Sequence, residues 1–230
     1  MGGMGGLGGL GGLGGGVPVK SHLYHPALGQ DVNYSIQEVP EGGDGQTAAV
    51  IGIMSDYAVA DSSSPEIQRD AAQAIAECPG CSAAESVFWF VKKRLQFVRD
   101  EETVVPFQGD AGNGTLVEAL IRPRDMSNLQ TVKLGDCDDF SMYTASLLLA
   151  LGVPASFVTV AASPGNNDFS HVYVAAYQNG VRVPLDTSHG DRPGWETPNA
   201  HRIQEWEVGG VGVILPLVVT LAIGAWLLCR

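Results

Sequence analysis

The stretch that decides the fold is Gly135-Asp136-Cys137-Asp138-Asp139-Phe140. It places a thiol directly before residues 140–151, whose apolar side chains recur at spacings of three and four. This spacing predicts a helix with one buried face. A cysteine at a helix N-terminus is a candidate nucleophile, because the helix dipole favours its thiolate. The alternative is that Cys137 is an ordinary buried cysteine.

Three strand-like segments follow this helix, and they predict an antiparallel meander. They are residues 155–162, 170–177 and 181–185. Asn179-Gly180 separates the last two segments and has the composition of a tight hairpin turn. Predicted helices precede the cysteine, and strands follow it. This order predicts an α+β domain in which a cysteine-bearing helix packs on an antiparallel sheet.

Two helix starts are marked before the cysteine. Ser64-Pro65-Glu66 predicts a helix that ends near residue 77. Ser82 and Glu85 predict a capping box and a second helix that ends near residue 98. Residues 116–121 are a candidate short helix, and the apolar residues 47–59 are compatible with a strand or a helix.

The hairpin turn also predicts where a histidine and an aspartate lie. If Gln178 pairs with Val181, then Tyr173 is opposite the position of Asp186. Side chains alternate along a strand, so His171 and Asp186 point to the same face as Tyr173. Their diagonal spacing is one that the two side chains can bridge. A register slip of one residue would place them on opposite faces. The sequence therefore predicts a His171–Asp186 pair.

These segments together resemble the transglutaminase-like superfamily of papain-type cysteine enzymes. The matching segments are Gly135-Asp136-Cys137-Asp138-Asp139-Phe140, Ala150-Leu151-Gly152-Val153-Pro154-Ala155, Ser170-His171-Val172-Tyr173-Val174 and Val183-Pro184-Leu185-Asp186-Thr187. They occur in the family's order, and the resemblance covers roughly residues 65–188. It implies a papain/transglutaminase-like core with Cys137 as nucleophile, His171 as general base and acid, and Asp186 as the residue that orients the imidazole.

The resemblance also implies a reaction class. The thiolate attacks a carboxamide of a peptide or protein to form a thioester, which water resolves in hydrolysis and an amine resolves in cross-linking. Compact bacterial and phage relatives favour a peptidase or amidase. Small members with a segment like Leu120-Ile121-Arg122-Pro123 occur often among bacteriophage proteins, which suggests a viral or envelope assembly as a partner.

The segment around the cysteine departs from the family pattern in one place and opposes the chemistry in another. Leu134 stands where many members have a second glycine. The flanking carboxylates disfavour a thiolate, although they are expected to cap the helix N-terminal amides. The backbone N–H of Cys137 is one expected oxyanion donor, and Gln130 and Gln108 are candidates for the other. The alternative function is a catalytically inactive structural or scaffold protein in a virion or membrane assembly.

Composition limits the partners. The chain has 230 residues and a formal net charge of -12, which argues against a nucleic-acid backbone as ligand. Four cysteines are too few for a secreted disulfide scaffold. Cys78-Pro79-Gly80-Cys81 joins two predicted helices, so a structural connector or simple disulfide is favoured over a catalytic redox pair or half of a zinc site. Neither a cofactor nor a metal ion is expected, and the acidic run Asp100-Glu101-Glu102 is interpreted as a solvated loop.

The sequence predicts five regions. They are a Gly-rich flexible arm (1–16), an extended lead-in (17–61), the catalytic domain (62–190), a linker (191–207) and a transmembrane helix (208–229). The last region carries no charge over about 22 residues, or about 33 Å as a helix, which is long enough to cross a bilayer core. Trp206 and Trp226 lie where the two membrane interfaces would be. This predicts a single-pass membrane-associated protein whose domain is cytoplasmic or part of a virion.

Overall fold

The computed structural model describes residues 19–25, 30–40, 42–97, 115–129, 133–163 and 165–210. Within these ranges the elements are, in chain order, β1 (Val19–His25), β2 (Gln30–Pro40), α1 (Gly43–Ser62), α2 (Pro65–Glu77), α3 (Ala83–Arg94), β3 (Leu95–Phe97), β4 (Thr115–Leu120), α4 (Pro123–Asn128), β5 (Lys133–Gly135), α5 (Cys137–Ala150), β6 (Ala155–Ala161), β7 (His171–Gln178), β8 (Val181–Leu185) and β9 (Arg202–Glu207).

The described strands form three sheets. Strands β1, β2 and β4 make an antiparallel sheet in that order, and β3 pairs in parallel with β5. The third sheet is antiparallel and has the order β8-β7-β6-β9. Gln178 pairs with Val181, as the hairpin prediction required. Asn179 and Gly180 between them have φ values of 54° and 75°, the positive angles that a two-residue hairpin turn uses. The molecule is therefore a mixed α/β protein with antiparallel sheets.

Helices α2 and α3 begin where the sequence predicted. The Ser64 side chain accepts a hydrogen bond from the N–H of Ile67, and Pro65 is the first residue of α2. Ser82 and Glu85 form a capping box at the start of α3. That helix ends at Arg94, earlier than the predicted end near residue 98, because the chain becomes extended there and pairs with β5. A disulfide joins Cys78 and Cys81 within the turn between the two helices, which agrees with the interpretation of this pair as a simple disulfide.

Helix α5 is the centre of the core. Its residues 138–148 are all buried, so the prediction of a single buried face was too narrow. Helices α1, α2 and α3 pack on it, and β7 packs against it from the sheet. Because helices and a sheet surround α5, the hydroxyls of Ser146 and Ser141 must find partners inside the protein. Ser146 donates to the carbonyl of Ala58 in α1, and Ser141 donates to the carbonyl of Cys137.

The lead-in predicted for residues 17–61 is extended over its first half only, and of the two alternatives for residues 47–59 the helix is the one that forms. Residues 43–62 form α1, which buries Ile51, Met54 and Tyr57 against the rest of the core. Asp61 near its end is 1% exposed and is held by the guanidinium of Arg122, with N–O distances of 2.6 and 3.2 Å. A long apolar helix with a buried ion pair at its end is an integral part of the domain.

Two further sequence interpretations were wrong. Residues 116–121 were expected to form a short helix, but β4 runs from Thr115 to Leu120 because it completes the sheet beside β2. Residues 191–207 were expected to be an irregular linker, but β9 occupies 202–207 and pairs with β6. Trp206 on β9 donates its indole N–H to the hydroxyl of Thr159 at 3.0 Å. It is thus part of the domain, although the sequence had placed it at a membrane interface.

The start of the predicted membrane segment belongs to the folded domain. Val208 donates its N–H to the carbonyl of Ala155, and Gly209 donates its N–H to the hydroxyl of Ser55, both at 3.0 Å. The remainder of that segment, residues 211–229, lies outside the described residues, as does the Gly-rich arm of residues 1–16. None of the helices in the described ranges combines the length and apolar character needed to cross a membrane.

Candidate active site

Cys137 is the first residue of α5 and the free cysteine among the residues that the structure describes. The carboxylate of Asp136 caps the helix by accepting the N–H of Asp138 at 3.2 Å. Cys137 lines a cavity of about 300 Å³, and His171 lines the same cavity. Cys137 at the start of the helix and His171 therefore line one cavity.

His171 and Asp186 form a hydrogen-bonded pair. The distance between Nε2 of His171 and Oδ2 of Asp186 is 2.8 Å, and their side chains are 10% and 0% exposed. His171 is the first residue of β7, and Asp186 directly follows β8. The two side chains meet on one face of the hairpin, at the diagonal spacing that the register predicts.

Asp186 is held as a carboxylate. Its Oδ1 accepts hydrogen bonds from the hydroxyl of Ser188 and the N–H of His189, both at 2.9 Å, and its Oδ2 accepts a longer one of 3.4 Å from Thr197. Burial alone would raise its pKa, but the hydrogen bond and charge of His171, with the donors at Oδ1, hold the pKa of Asp186 below its ordinary value. An ionised carboxylate only accepts hydrogen bonds, so Nε2 of His171 carries the hydrogen. In the neutral ring, Nδ1 is then the nitrogen that accepts a proton.

The thiol of Cys137 is protonated in this state. Burial raises its pKa far above the ordinary value, and the charge of Asp136 adds to the shift. The backbone N–H groups of Val172 and of Cys137 itself act in the opposite direction but do not prevail. Desolvation is therefore the largest obstacle to a thiolate at this position. The site at rest therefore holds a thiol rather than a thiolate at Cys137.

The acidic residues around Cys137 are committed to backbone amides. Asp138 accepts the N–H of Asp139 at 2.6 Å, and Asp139 accepts the N–H of Ile121 at 2.7 Å. Asp136 and Asp138 thus accept hydrogen bonds from N–H groups at the start of the helix, as expected. Asp139 instead binds the segment that follows β4. A side chain at Gly135 would place its Cβ 2.7 Å from the Cβ of Asp139. The glycine of the motif is therefore needed for the close packing of the strand before Cys137 on the start of α5.

Glu118 is a cavity residue that the sequence did not reveal. It lies on β4, lines the cavity with Cys137, and shares a hydrogen bond with the side chain of Asp138. Burial, followed by the charge of Asp136, raises the pKa of Glu118 to about 7. Thr115 and Val117 beside it are β-branched and favour a strand, but so short a segment is also compatible with a helical turn.

Most of the remaining wall of the cavity comes from two segments to which the sequence assigned no chemistry. The first is the N-terminal part of α1, from Gly43 to Met54, and the second is residues 168–170 before β7. Thr159 of β6 also lines the cavity. The N–H of Cys137 is at the first helical position, where no intrahelical acceptor exists, so it can donate to an oxyanion. The two other oxyanion candidates, Gln130 and Gln108, lie outside the described residues.

Comparison with known proteins found no matching protein-family model and no matching curated protein. The structure is similar to that of a protein from Cytophaga hutchinsonii which is provisionally described as a cysteine protease. The two chains are 16% identical, the TM-score is 0.39, and the match covers 76% of this chain and 59% of that chain. This chain therefore corresponds to less than two thirds of that protein, and its chemistry has to be argued from its own residues.

Proposed function

We propose that this chain is a cysteine-dependent acyl-transfer enzyme, a peptidase or amidase or a transglutaminase-type enzyme, that acts on a peptide or protein amide. Cys137 is the nucleophile, His171 the general base and acid, and Asp186 the residue that orients the imidazole. One observation carries the proposal. The buried His171–Asp186 hydrogen bond belongs to a histidine that lines the same cavity as the free thiol at the start of α5.

The first half-reaction forms a thioester. As Sγ of Cys137 bonds to the amide carbon, Nδ1 of His171 accepts the thiol proton, and the carbonyl electron pair moves onto oxygen. The N–H of Cys137 stabilises that oxyanion, and the carboxylate of Asp186 stabilises the imidazolium. When the oxyanion collapses, the C–N bond breaks and His171 returns its proton to the departing amine.

The second half-reaction releases the acyl group. Water or a second amine gives a proton to Nδ1 of His171 while its oxygen or nitrogen attacks the thioester carbon. Collapse of this intermediate expels the sulfur, which recovers the proton, and the site returns to its neutral state. Because the resting thiol is protonated, proton transfer to His171 and attack by sulfur belong to one step in this scheme.

A second candidate is an inactive scaffold that retains this fold. It is favoured by the same electrostatics, since burial and Asp136 raise the pKa of Cys137 and a working thiol must lose its proton. The two candidates differ in what His171 does. In the enzyme it assists the thiol as a base, whereas in the scaffold it is only a hydrogen-bonded residue on the sheet.

Alkylation of Cys137 by iodoacetamide separates the two. Peptide mass mapping assigns the label to Cys137, and wild type is compared with His171→Ala and with the matched control His201→Ala. His201 is exposed, and its Nε2 is bonded to the carbonyl of Asn166. The enzyme proposal expects alkylation to slow by about tenfold or more in His171→Ala only, because base assistance is worth about 100-fold or more in catalysis. Equal rates in all three proteins would support the scaffold.

A membrane location is proposed separately, through residues that follow Gly210. Deleting residues 211–230 leaves β9 and the contacts of Val208 and Gly209 in place, so the truncated chain is expected to keep the domain. The full chain should sediment with vesicles, and the truncated chain should stay in the supernatant. Equal partition of both would show that residues 211–230 do not anchor the protein.

A further inference from the structure

A second histidine lies beside the His171–Asp186 pair. The ring centroids of His189 and His171 are 4.6 Å apart and the rings meet edge to face. The Nδ1 atom of His189 is 2.9 Å from the hydroxyl of Ser188. One potential ligand atom from each of His171, Asp186 and His189 lies within 4.8 Å of the others. Two imidazoles and one carboxylate are thus gathered around a single point.

We propose that His171, Asp186 and His189 form a binding site for a divalent transition-metal ion of the zinc class, and that an ion bound there blocks acyl transfer. The binding site stands on the geometry alone. The blocking effect rests on the proposed function, because it requires His171 to accept the thiol proton.

The ligand set matches zinc better than calcium or magnesium. Open zinc sites hold the ion with three protein ligands, such as two histidines and one carboxylate, and leave a fourth position to water. Calcium and magnesium prefer oxygen ligands throughout, and two of the three groups here are imidazoles. Nickel and copper accept the same set, so the assignment is to a class of ions.

The required movements are small. Bonds of about 2.0–2.1 Å place tetrahedral ligand atoms about 3.3 Å apart. Nε2 of His171 and Oδ2 of Asp186, now 2.8 Å apart, must separate by about half an ångström. The ligand atoms of the three residues lie within 4.8 Å of one another. His189 is exposed, and a rotation of its side chain can shorten the distance from its ring nitrogen to the other two ligand atoms. Asp186 need not move, since the donors from Ser188 and His189 fix its other oxygen. Lys92 donates to the carbonyl of Ser188 and is a nearby positive charge that opposes the ion.

The blocking effect follows from the proton on His171. At rest this proton is on Nε2, which donates a hydrogen bond to the ionised carboxylate of Asp186. An ion that takes Nε2 displaces the proton, and the neutral ring then carries it on Nδ1. Nδ1 is the atom that has to accept the proton of Cys137. A filled site therefore leaves the thiol without its base, although the ion does not touch the sulfur.

Metal binding is tested on the full chain carrying Cys137→Ser, so that the thiol of Cys137 cannot act as a ligand. Cobalt(II) is titrated and followed by its visible spectrum, and zinc affinity is measured by competition with a chromophoric chelator. The added variants are His189→Ala, His189→Gln and the matched His201→Ala. We expect one ion per chain, a loss of about tenfold or more in affinity in both His189 variants, and no loss in His201→Ala, since even outer-shell partners contribute about 10–100-fold.

Several results would overturn the site. They are no binding at all, equal binding in the His189 variants, and binding by wild type that disappears with Cys137→Ser, which would mean a thiol-held ion. Circular dichroism and thermal melting verify that the His189 variants fold. These measurements do not involve catalysis, so they hold whether or not the chain is an enzyme.

The blocking step is tested by alkylation of Cys137. Zinc should slow the reaction by about tenfold in wild type and should not slow it in His189→Ala. An unchanged wild-type rate with the site filled would refute it.

Discussion

Replacing Asp136 with asparagine isolates the charge that opposes a thiolate at Cys137. The Asp136 carboxylate accepts the N–H of Asp138 and so caps α5. Asparagine offers an amide oxygen at the same place and is about as good an N-cap as aspartate. The substitution therefore removes one negative charge and keeps the cap, so the start of the helix should not change.

The expected effect is moderate. Side-chain charges on adjacent residues lie roughly 7 Å apart, and at an effective dielectric constant of about 20 they interact with about 2 kcal/mol. One pKa unit corresponds to about 1.4 kcal/mol, so Asp136→Asn should lower the pKa of Cys137 by about 1.5 units. The thiolate fraction then rises about 30-fold. The nucleophilicity of a thiolate falls with its pKa, with a slope of about 0.4–0.5, so the alkylation rate should rise about sixfold.

Iodoacetamide is a suitable reagent because it is neutral, so the charge of Asp136 neither attracts nor repels it. The pKa of Glu118 is about 7, and Asp136 contributes to it, so the rates are best compared at about pH 8, where this carboxyl is largely ionised in both proteins. Asp191→Asn is the matched control, since that side chain is 71% exposed and pairs with Arg192. An unchanged or slower rate in Asp136→Asn, with the control at the wild-type value, would refute the electrostatic account.

Three further outcomes are expected. Asp186→Asn should lower the rate of thioester formation by about 100-fold or more. An amide cannot accept hydrogen bonds from all the donors around it, so it cannot hold His171 in one tautomer. The acyl-enzyme is quantified by mass spectrometry after an acid quench. Asp61→Ala should destabilise the fold by about 3–5 kcal/mol in urea titrations, because it leaves Arg122 partly buried without its partner. Glu118→Gln should flatten the dependence of stability on pH. The folded pKa of about 7 exceeds the ordinary value of 4.5, so the stabilisation of wild type is complete below about pH 4.5, and about 3 kcal/mol is lost, relative to the variant, as the pH rises from about 4.5 to 7.

Each of these outcomes has a result that contradicts it. Thioester formation at the wild-type level in Asp186→Asn would show that the carboxylate does not orient His171. A loss below about 1 kcal/mol in Asp61→Ala would mean that the ion pair is solvated rather than buried. Parallel pH curves for wild type and Glu118→Gln would show that the carboxyl titrates normally. Asp191→Asn should lie within about 0.5 kcal/mol of wild type in both stability experiments, as for other exposed positions.

The sequence predicted best where local chemistry decides the structure. The caps at Ser64 and Ser82 marked two helix starts, since Ser, Pro and Glu occupy fixed positions there. Asn179-Gly180 fixed the register of β7 and β8, because a two-residue turn with positive φ values allows one pairing. That register brought His171 and Asp186 together, so the central pair of the candidate site followed from one turn.

The sequence predicted poorly where distant segments decide the structure. Residues 43–62 have no polar face that would reveal a helix packed on α5, and β4 and β9 are strands because β2 and β6 offer them edges. The cavity depends on these same elements, so Glu118 and the wall from α1 were missed. The raised pKa of Cys137 was missed for a related reason, since burial is a property of the whole packing.

The placement of the His171–Asp186 pair within one hairpin has a consequence for the order of folding. The pair is separated by 15 residues, whereas Asp44 and Arg202, which tie α1 to β9, are separated by 158. Loop-closure entropy makes the longer contact about 2 kcal/mol more costly to nucleate. We therefore expect the hairpin to form early and the cavity wall late. A folding chain would pass through a state in which the base is already oriented and no substrate can yet be held.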